Sequence, residues 1–319
     1  MLRCPTGETQ VVLKERFNAD PCIAKLRPRS NLKLEGCVNL TNADLRGLNL
    51  AGSNFAGVAL DGARLDCTFL DGATFAQVRA TQASFRSASL TGASFADAVL
   101  TGADFSRAIL HRTRFEGGAG GTTMLTEATF RESQLVEATF EFLEDAFDVT
   151  FDEANMERAT LREASFPRAS FLGTNLAYAL FDAADLERAT FSGVEFTGIK
   201  MHRSDLIGAN CTRCDFSSTT LDTVSFAESI ITGSSFRNAF LAFSEFGKAS
   251  AVGVDFRNAT MKEVDMPAAD ARNADFKHAD LLEAVLINSD LRGASFRGTR
   301  NLATADFSGS RGNPSLSHG

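Results

Sequence analysis

Two cysteines in a CxxC spacing, Cys211 and Cys214, are the residues of this 319-residue chain that most directly suggest chemistry. Such pairs bind zinc or exchange disulfides. A zinc site would need a second pair, and the other cysteines, at positions 4, 22, 37 and 67, do not supply one. Both residues also fall on positions of an internal repeat that should face inward. We therefore interpret them as small core residues, and we expect reduced thiols and no metal ion.

The other candidates for catalysis are the histidines and a glycine-rich run. His111, His202 and His278 lie on outward positions of the repeat and His318 lies in the C-terminal tail, with no carboxylate and nucleophile converging on any of them. The run from Gly117 to Thr123 lacks the Gly-Lys-Ser/Thr of a phosphate loop. The sequence therefore predicts a protein without enzyme activity, catalytic residues or cofactor.

The charged residues are the remaining feature that could mark a functional site. The chain carries a net charge of -8, which disfavours a nonspecific binder of nucleic-acid phosphates. Residues 127–157 alone carry -9. Ten carboxylates and a single arginine, Arg131, form this acidic belt, which we take as the candidate partner-binding site: Glu127, Glu132, Glu137, Glu141, Glu144, Asp145, Asp148, Asp152, Glu153 and Glu157.

Two interpretations of the belt are open: a solvated face, or an anionic surface for a basic partner. In the repeat described next, Glu132 and Asp152 lie about one coil apart, as do Glu137 and Glu157, so like charges should stack and repel. A second charged column, Arg237, Arg257, Lys277 and Arg297, runs the other way. Local pairing with Asp255 and Asp275 explains much of that column.

The elements that must position these side chains follow a strict period of five. Leu or Phe recurs at every fifth residue from Leu40 to Phe140 with two exceptions, Ala80 and Gly120. The frame then slips by one residue and continues from Phe151 to Phe296, and after a second slip it ends at Leu302 and Phe307. A small residue, most often Ala, stands two places before each central residue. Neither a helix nor a strand has this period, so the backbone must turn a corner once per pentad.

Residues 20 apart resemble one another, which indicates four pentads to a coil. Phe55, Phe75, Phe95 and Phe115 form one column, and a taller one runs from Phe196 through Phe216 and onward to Phe296. A three-sided coil would mix these sets. Of the 28 Phe, 22 occupy central positions, so the aromatic residues should build an axial core rather than a binding pocket.

Tandem runs such as ASLTGASFADAVLTGADF and ADARNADFKHADLLEAVL resemble the pentapeptide-repeat family. The resemblance implies an all-β solenoid, a right-handed quadrilateral β-helix; with strands ~4.8 Å apart, the pentads predict about 13 coils. We expect a short N-terminal cap at residues 1–35, the β-helix at 36–309 with a frame break at 141–150, and a disordered tail at 310–319. The extra residue in the frame break should be extruded as a bulge.

The resemblance also suggests a function. One branch of the family binds bacterial DNA gyrase or topoisomerase IV by imitating duplex DNA and protects against topoisomerase poisons. A protein partner of that kind, a type II topoisomerase, is our first hypothesis, with no direct binding to nucleic acid or membrane. The alternative is a general protein-interaction scaffold, effector or adaptor. No apolar run of membrane-spanning length or signal peptide occurs, so the expected location is the cytoplasm.

Overall fold

The computed structural model describes residues 39–117, 123–144 and 146–312. The predicted N-terminal cap and the end of the predicted tail lie outside these residues. The chain divides into two compact units, Met1–Thr160 and Leu161–Gly319, which we call the first and second units.

Each pentad has the same local geometry, which the coil around Phe236 illustrates. The central residue and the small residue two places before it point inward, and the residue between them points outward. The outward residue makes a single parallel bridge to the next coil, as Ser235 does with Asp255, and we call its place the bridge position. The two residues after the centre form the turn. The second has a positive φ, +58° at Asn238, and its successor Ala239 donates its backbone N–H to the carbonyl of Phe236 at 3.0 Å.

The second unit keeps one register through most of its length. Its bridges join Ser165 to Asp185, Ser170 to Thr190 and Leu180 to Lys200, and the same offset recurs as far as the bridge from Asp280 to Arg300. Four bridge positions occur within each such offset and define four sides, so the predicted quadrilateral coil is confirmed within this unit. The last bridges, Val285 to Asp306 and Asp290 to Arg311, span one residue more than the others. A 3-10 helix, Leu302–Thr304, takes up that extra residue.

The first unit changes register twice. Its bridges keep the regular offset up to the pair Ser94 and Arg114, and from Val99 and Met124 onward they span a whole pentad more. Between Thr129 and Thr150 the bridge exceeds the regular offset by a single residue. The glycine-rich run preserves the five-residue period, but it adds a whole pentad to its coil.

The central positions shift by one residue after Phe140. The central positions resume at Phe151, and the position one pentad before it is held by Ala146. Ala146 is fully buried and therefore takes the central position that the break displaces.

The core consists of the central and small inward residues. Phe55, Phe75, Phe95 and Phe115 are fully buried and stack at centroid distances of 4.6–5.1 Å, nearly parallel. The next ring in the column is Phe140, because of the extra pentad. Rings of neighbouring columns meet edge to face, as at Phe85 and Phe95, 5.8 Å apart. Aromatic rings favour both arrangements, so the columns reinforce one another.

At the C-terminal end of the described residues, the inward side chains of Phe296 and Phe307 are only half-buried. Regular pairing extends to Arg311, slightly beyond the predicted boundary. Among the described residues, no helix has the length and apolar character needed to cross a membrane.

The two cysteines of the CxxC motif face inward, as predicted. Cys211 and Cys214 are 0% and 1% exposed, and the Sγ of Cys214 donates to the carbonyl of Phe191. Burial raises the pKa of the Cys211 thiol well above its ordinary range. The expectation of reduced thiols is wrong at Cys67, which forms a disulfide bond.

Candidate functional site

Both register changes of the first unit fall on the same side of adjacent coils. Phe115 stacks on Phe140 at 4.9 Å, and the N–H of Glu127 donates to the carbonyl of Phe147 at 2.8 Å. The segment that follows Phe115 therefore lies one coil away from the segment that follows Phe140. The added pentad and the added single residue interrupt one face of the solenoid at neighbouring places.

Thr123 closes the base of the first interruption. Its side chain is fully buried, and its Oγ1 lies 2.8 Å from two carbonyl oxygens, those of Phe95 and Glu116. Thr113, earlier in the chain, holds the equivalent inward position and contacts the carbonyl of Leu90 in the same way. Thr123 thus returns the chain to the regular path after the inserted residues.

Arginines compensate part of the predicted acidic belt. Arg107 makes two contacts with Glu132, at 2.8 and 2.9 Å, and Arg112 contacts Glu137 at 2.6 Å. Hydrogen bonds from these guanidinium groups lower the pKa of both carboxyl groups. Arg131 contacts Glu153 at 2.7 Å. A further arginine just beyond the belt, Arg158, likewise contacts Glu157 at 2.6 Å.

Glu132 and Glu137 do lie one coil from Asp152 and Glu157, to whose carbonyls they donate their backbone N–H groups, but arginines compensate part of the charge. The single extra residue lengthens the bridge offset by one, which places Glu137 in register with Arg158. Arg107 and Arg112 meet Glu132 and Glu137 because the inserted pentad lengthens the offset on their coil. The regular offset would have set Arg107 beside Glu127 instead. Counting charge within residues 127–157 misses both arginines, since they precede that segment.

Three acidic residues of the belt have no ion pair within the described part of the chain: Glu127, Glu141 and Glu144. All three lie around the two interruptions, Glu127 and Glu144 exposed and Glu141 half-exposed. Asp148 is exposed in a turn of the adjacent coil, directly after Phe147, whose carbonyl accepts the N–H of Glu127. Asp145 lies outside the described residues. The belt is thus divided into a compensated part and an uncompensated part.

Two apolar side chains are exposed beside these carboxylates. Met124 is 46% exposed and Phe142 is 50% exposed. Phe142 occupies a second turn position with φ of +56°, where a bulky side chain is disfavoured. Neither residue was predicted from the sequence to belong to a site, although Phe142 departs from the rule that places Phe at pentad centres. We define the frame-break surface as Met124, Glu127, Glu141, Phe142, Glu144 and Asp148.

Two members of the other charged column, Arg257 and Lys277, are locally paired, as predicted. Arg257 contacts Asp255 at 2.5 Å and Asp275 at 3.7 Å, and Lys277 contacts Asp275 at 3.3 Å. The bridge position and the first turn position lie on either side of the same centre and point the same way. The same arrangement recurs on another side of the solenoid, in the pairs Asp270 with Arg272 and Asp290 with Arg292.

In the part of the chain that the structure describes, the histidines form no constellation that could perform acid-base catalysis. His111 is half-buried beside Arg112 and Glu137 in a pocket of about 290 Å³, while His202 and His278 are exposed. His318 lies outside the described residues. No group of three or more metal-ligating side chains occurs within the described ranges.

Comparison with known proteins identifies the repeat. The pattern of pentapeptide repeats matches in eight copies, over residues 39–77, 81–117, 147–182, 169–208, 184–222, 241–277 and 268–300. No curated protein sequence matches.

Solved structures with similarity include HetL, a protein involved in heterocyst differentiation regulation from the cyanobacterium Nostoc sp. strain PCC 7120. The identity is 20%, with 86% of this chain and 90% of HetL covered and a TM-score of 0.26. QnrB1, a plasmid-mediated fluoroquinolone resistance protein, is 15% identical, with 79% of this chain and 90% of QnrB1 covered and a TM-score of 0.20. Structural similarity at these TM-scores indicates no binding partner for this chain. The repeat matches span more than half of the sequence, and the chain belongs to the pentapeptide-repeat family, whose members form right-handed β-helices.

Proposed function

We propose that this chain is a non-catalytic binding protein and that its frame-break surface binds a basic surface of another protein. The observation that carries the proposal is the set of three carboxylates without an ion pair, Glu127, Glu141 and Glu144, beside the exposed side chains of Met124 and Phe142. Like charges on neighbouring coils do not stabilise the fold, and neither apolar side chain contributes to the core. A basic partner would offset the repulsion and cover the apolar atoms.

The partner that we propose is the DNA-binding surface of a type II topoisomerase. Such a surface is basic because it neutralises DNA phosphates. Carboxylates on two adjacent coils, about 4.8 Å apart, offer it closely spaced negative charge. The resemblance to the topoisomerase-binding branch of the family supports this choice. Attraction between the two surfaces should weaken as salt rises, because the Debye length is only about 8 Å at physiological ionic strength.

The test measures binding of the full-length chain to purified gyrase and topoisomerase IV at two salt concentrations, together with supercoiling and poison-induced DNA cleavage. The variant Glu127→Gln, Glu141→Gln and Glu144→Gln removes three charges while keeping side-chain shape. We expect it to bind at least tenfold more weakly, with an unchanged Tm and a smaller salt dependence.

The matched control is Glu163→Gln, Glu195→Gln and Glu283→Gln, which removes the same charge from exposed positions of the second unit. Equal weakening by both variants would mean that only net charge matters and would contradict a role for this surface. If the wild-type chain binds neither enzyme and alters no cleavage, the topoisomerase proposal fails. The general scaffold would then be the better description, since the same surface suits any basic partner.

A further inference from the structure

The second unit exposes two aromatic rings that its core does not use. Phe240 is 52% exposed at a bridge position, and Phe243 is 49% exposed at the turn that follows. The neighbours of Phe240 in its column are Thr220 and Thr260, so the fold does not require an aromatic residue there. The Nζ of Lys262 lies 5.6 Å from the centroid of the Phe243 ring and leaves the rest of that ring open.

Phe243 occupies a position that disfavours it. Its φ is +60°, in the left-handed region where glycine is favoured and a bulky side chain is strained. Tyr178 has a comparable φ of +60°, but its ring lies over Gly198 of the next coil, where an added Cβ would approach it to 2.6 Å. Phe243 therefore combines backbone strain with an open ring, a combination that folding alone does not favour.

A row of carboxylates without counterions borders these rings. Glu245 follows Phe243 by two residues and bridges to Asp265, and Asp205 lies two coils away in the same column. None of the three makes an ion pair within the described residues. The pKa of Asp265 is raised by burial and by the charge of Glu245. The pKa of Asp205 is also raised, first by burial and then by carboxylates that include Asp185 and Glu245.

The geometry points to a second docking surface, formed by Asp205, Phe240, Phe243, Glu245 and Asp265, for an amphipathic segment of a partner protein that presents apolar and Lys or Arg side chains together. The apolar side chains of such a segment would cover the two rings, and its cations would neutralise the adjoining carboxylates. The same carboxylates would repel anionic lipid and nucleic-acid phosphate. The residues of this surface line neither the pocket of about 290 Å³ nor that of about 450 Å³.

Charge complementarity makes the prediction specific. Lys262, which lies over the Phe243 ring, already lies 3.3 Å from Glu263. Lys248, on the far side of the carboxylate row, contacts Glu228 at 2.9 Å. The positive charge that the row lacks must therefore come from a partner. This surface is separate from the frame-break surface, so the two proposals can fail independently.

The experiment uses the full-length chain and a fluorescent synthetic peptide of Leu and Lys with all Leu on one helical face. Two peptide controls carry Glu in place of Lys, or the same residues in scrambled order. The variant Phe240→Thr and Phe243→Gly installs the residue of the neighbouring coils at one position and the residue that positive φ favours at the other. A second variant is Glu245→Gln and Asp265→Asn.

We expect each double variant to raise the Kd of the Leu-Lys peptide about tenfold, and the second to flatten its salt dependence. Phe69→Ser, which removes an exposed ring from a bridge position outside both proposed surfaces and installs the residue of a neighbouring coil, should leave the Kd unchanged. Gyrase binding, if present, should not respond to Phe240→Thr and Phe243→Gly. The proposal is overturned if the peptide binds wild type and both double variants within a factor of about two, or if the scrambled peptide binds as tightly.

Discussion

Phe236 shows how one core residue depends on its neighbours along the axis and around the coil. Its ring stacks between Phe216 at 4.8 Å and Phe256 at 5.3 Å and meets Phe226 and Phe246 edge to face. One side chain thus contacts two rings along the axis and two around the coil. The five-residue period identifies such buried central positions from the sequence alone.

Replacing Phe236 with Ala should lower the free energy of unfolding by about 3–5 kcal/mol, because it removes a fully buried ring and leaves a cavity between stacked neighbours. Urea denaturation followed by circular dichroism measures the change. The control is Phe69→Ser, since Phe69 is 54% exposed at a bridge position and should cost no more than about 0.5 kcal/mol. Equal losses in the two variants would show that Phe236 is not a core residue.

Asp205 represents the opposite case, a charged residue that the fold tolerates at a cost. Burial and nearby carboxylates raise its pKa above the ordinary 3.8, so the folded state holds its proton more tightly than the unfolded state. Its destabilising effect is therefore fully present above the folded pKa and disappears as pH falls below the unfolded pKa.

Asp205→Asn should accordingly stabilise the protein at pH 7 by about 0.5 kcal/mol, a modest value because solvent screens this half-exposed group. The gain should vanish near pH 3, which thermal melts across the acidic range would reveal. Asp270→Asn is the contrasting variant, because the hydrogen bond from Arg272 lowers the pKa of Asp270. It should not stabilise at pH 7. A pH-independent effect of Asp205→Asn would contradict the electrostatic explanation.

At the scale of the element, the pentad behaves as a unit that can be inserted whole. Gly117 is the second residue after Phe115, and Thr123 resumes the inward position that would ordinarily follow directly. The bridges before the insertion have the regular offset, and those across it are longer by one pentad. An insertion of five residues therefore preserves the inward and outward alternation and lengthens the sequence offset between the residues that meet across it.

Deleting residues 118–122 should leave a folded solenoid with a Tm within a few degrees of wild type. The deletion joins Gly117 to Thr123, and glycine accepts the positive φ that the second turn position needs. Shortening a connection by five residues changes its closure entropy little. The control deletion removes residues 119–121 and leaves two surplus residues. Loss of cooperative unfolding in the five-residue deletion would show that the inserted residues are part of the core structure.

At the scale of the whole molecule, secondary structure is unusually sparse. The bridges are single residues on each coil side, and the one helix within the described residues is the 3-10 helix Leu302–Thr304. Backbone pairing instead runs mainly between coils, from N–H groups to carbonyl groups of the adjacent coil.

The far-UV circular dichroism spectrum should accordingly show β-structure with little α-helix. A strongly helical spectrum would contradict the solenoid fold.

The sequence by itself determined the inward residues of both units, because a strict five-residue period allows only one alternation of inward and outward side chains. Phe236, Cys211 and Cys214 are buried where the period places them. The resemblance between residues four pentads apart likewise determined the four sides. The single-residue break after Phe140 was visible for the same reason, since it shifts every later centre.

Only the tertiary structure decided which charges meet. An inserted pentad leaves the five-residue period intact and is therefore invisible to it, yet it moves Arg107 from the register of Glu127 to that of Glu132. The later single-residue break then sets Glu137 beside Arg158. Ion pairs between coils depend on the sequence offset between facing residues. That offset is the length of four pentads plus every insertion in the coil. That is why Glu127, Glu141 and Glu144 could be distinguished from the rest of the belt only in three dimensions.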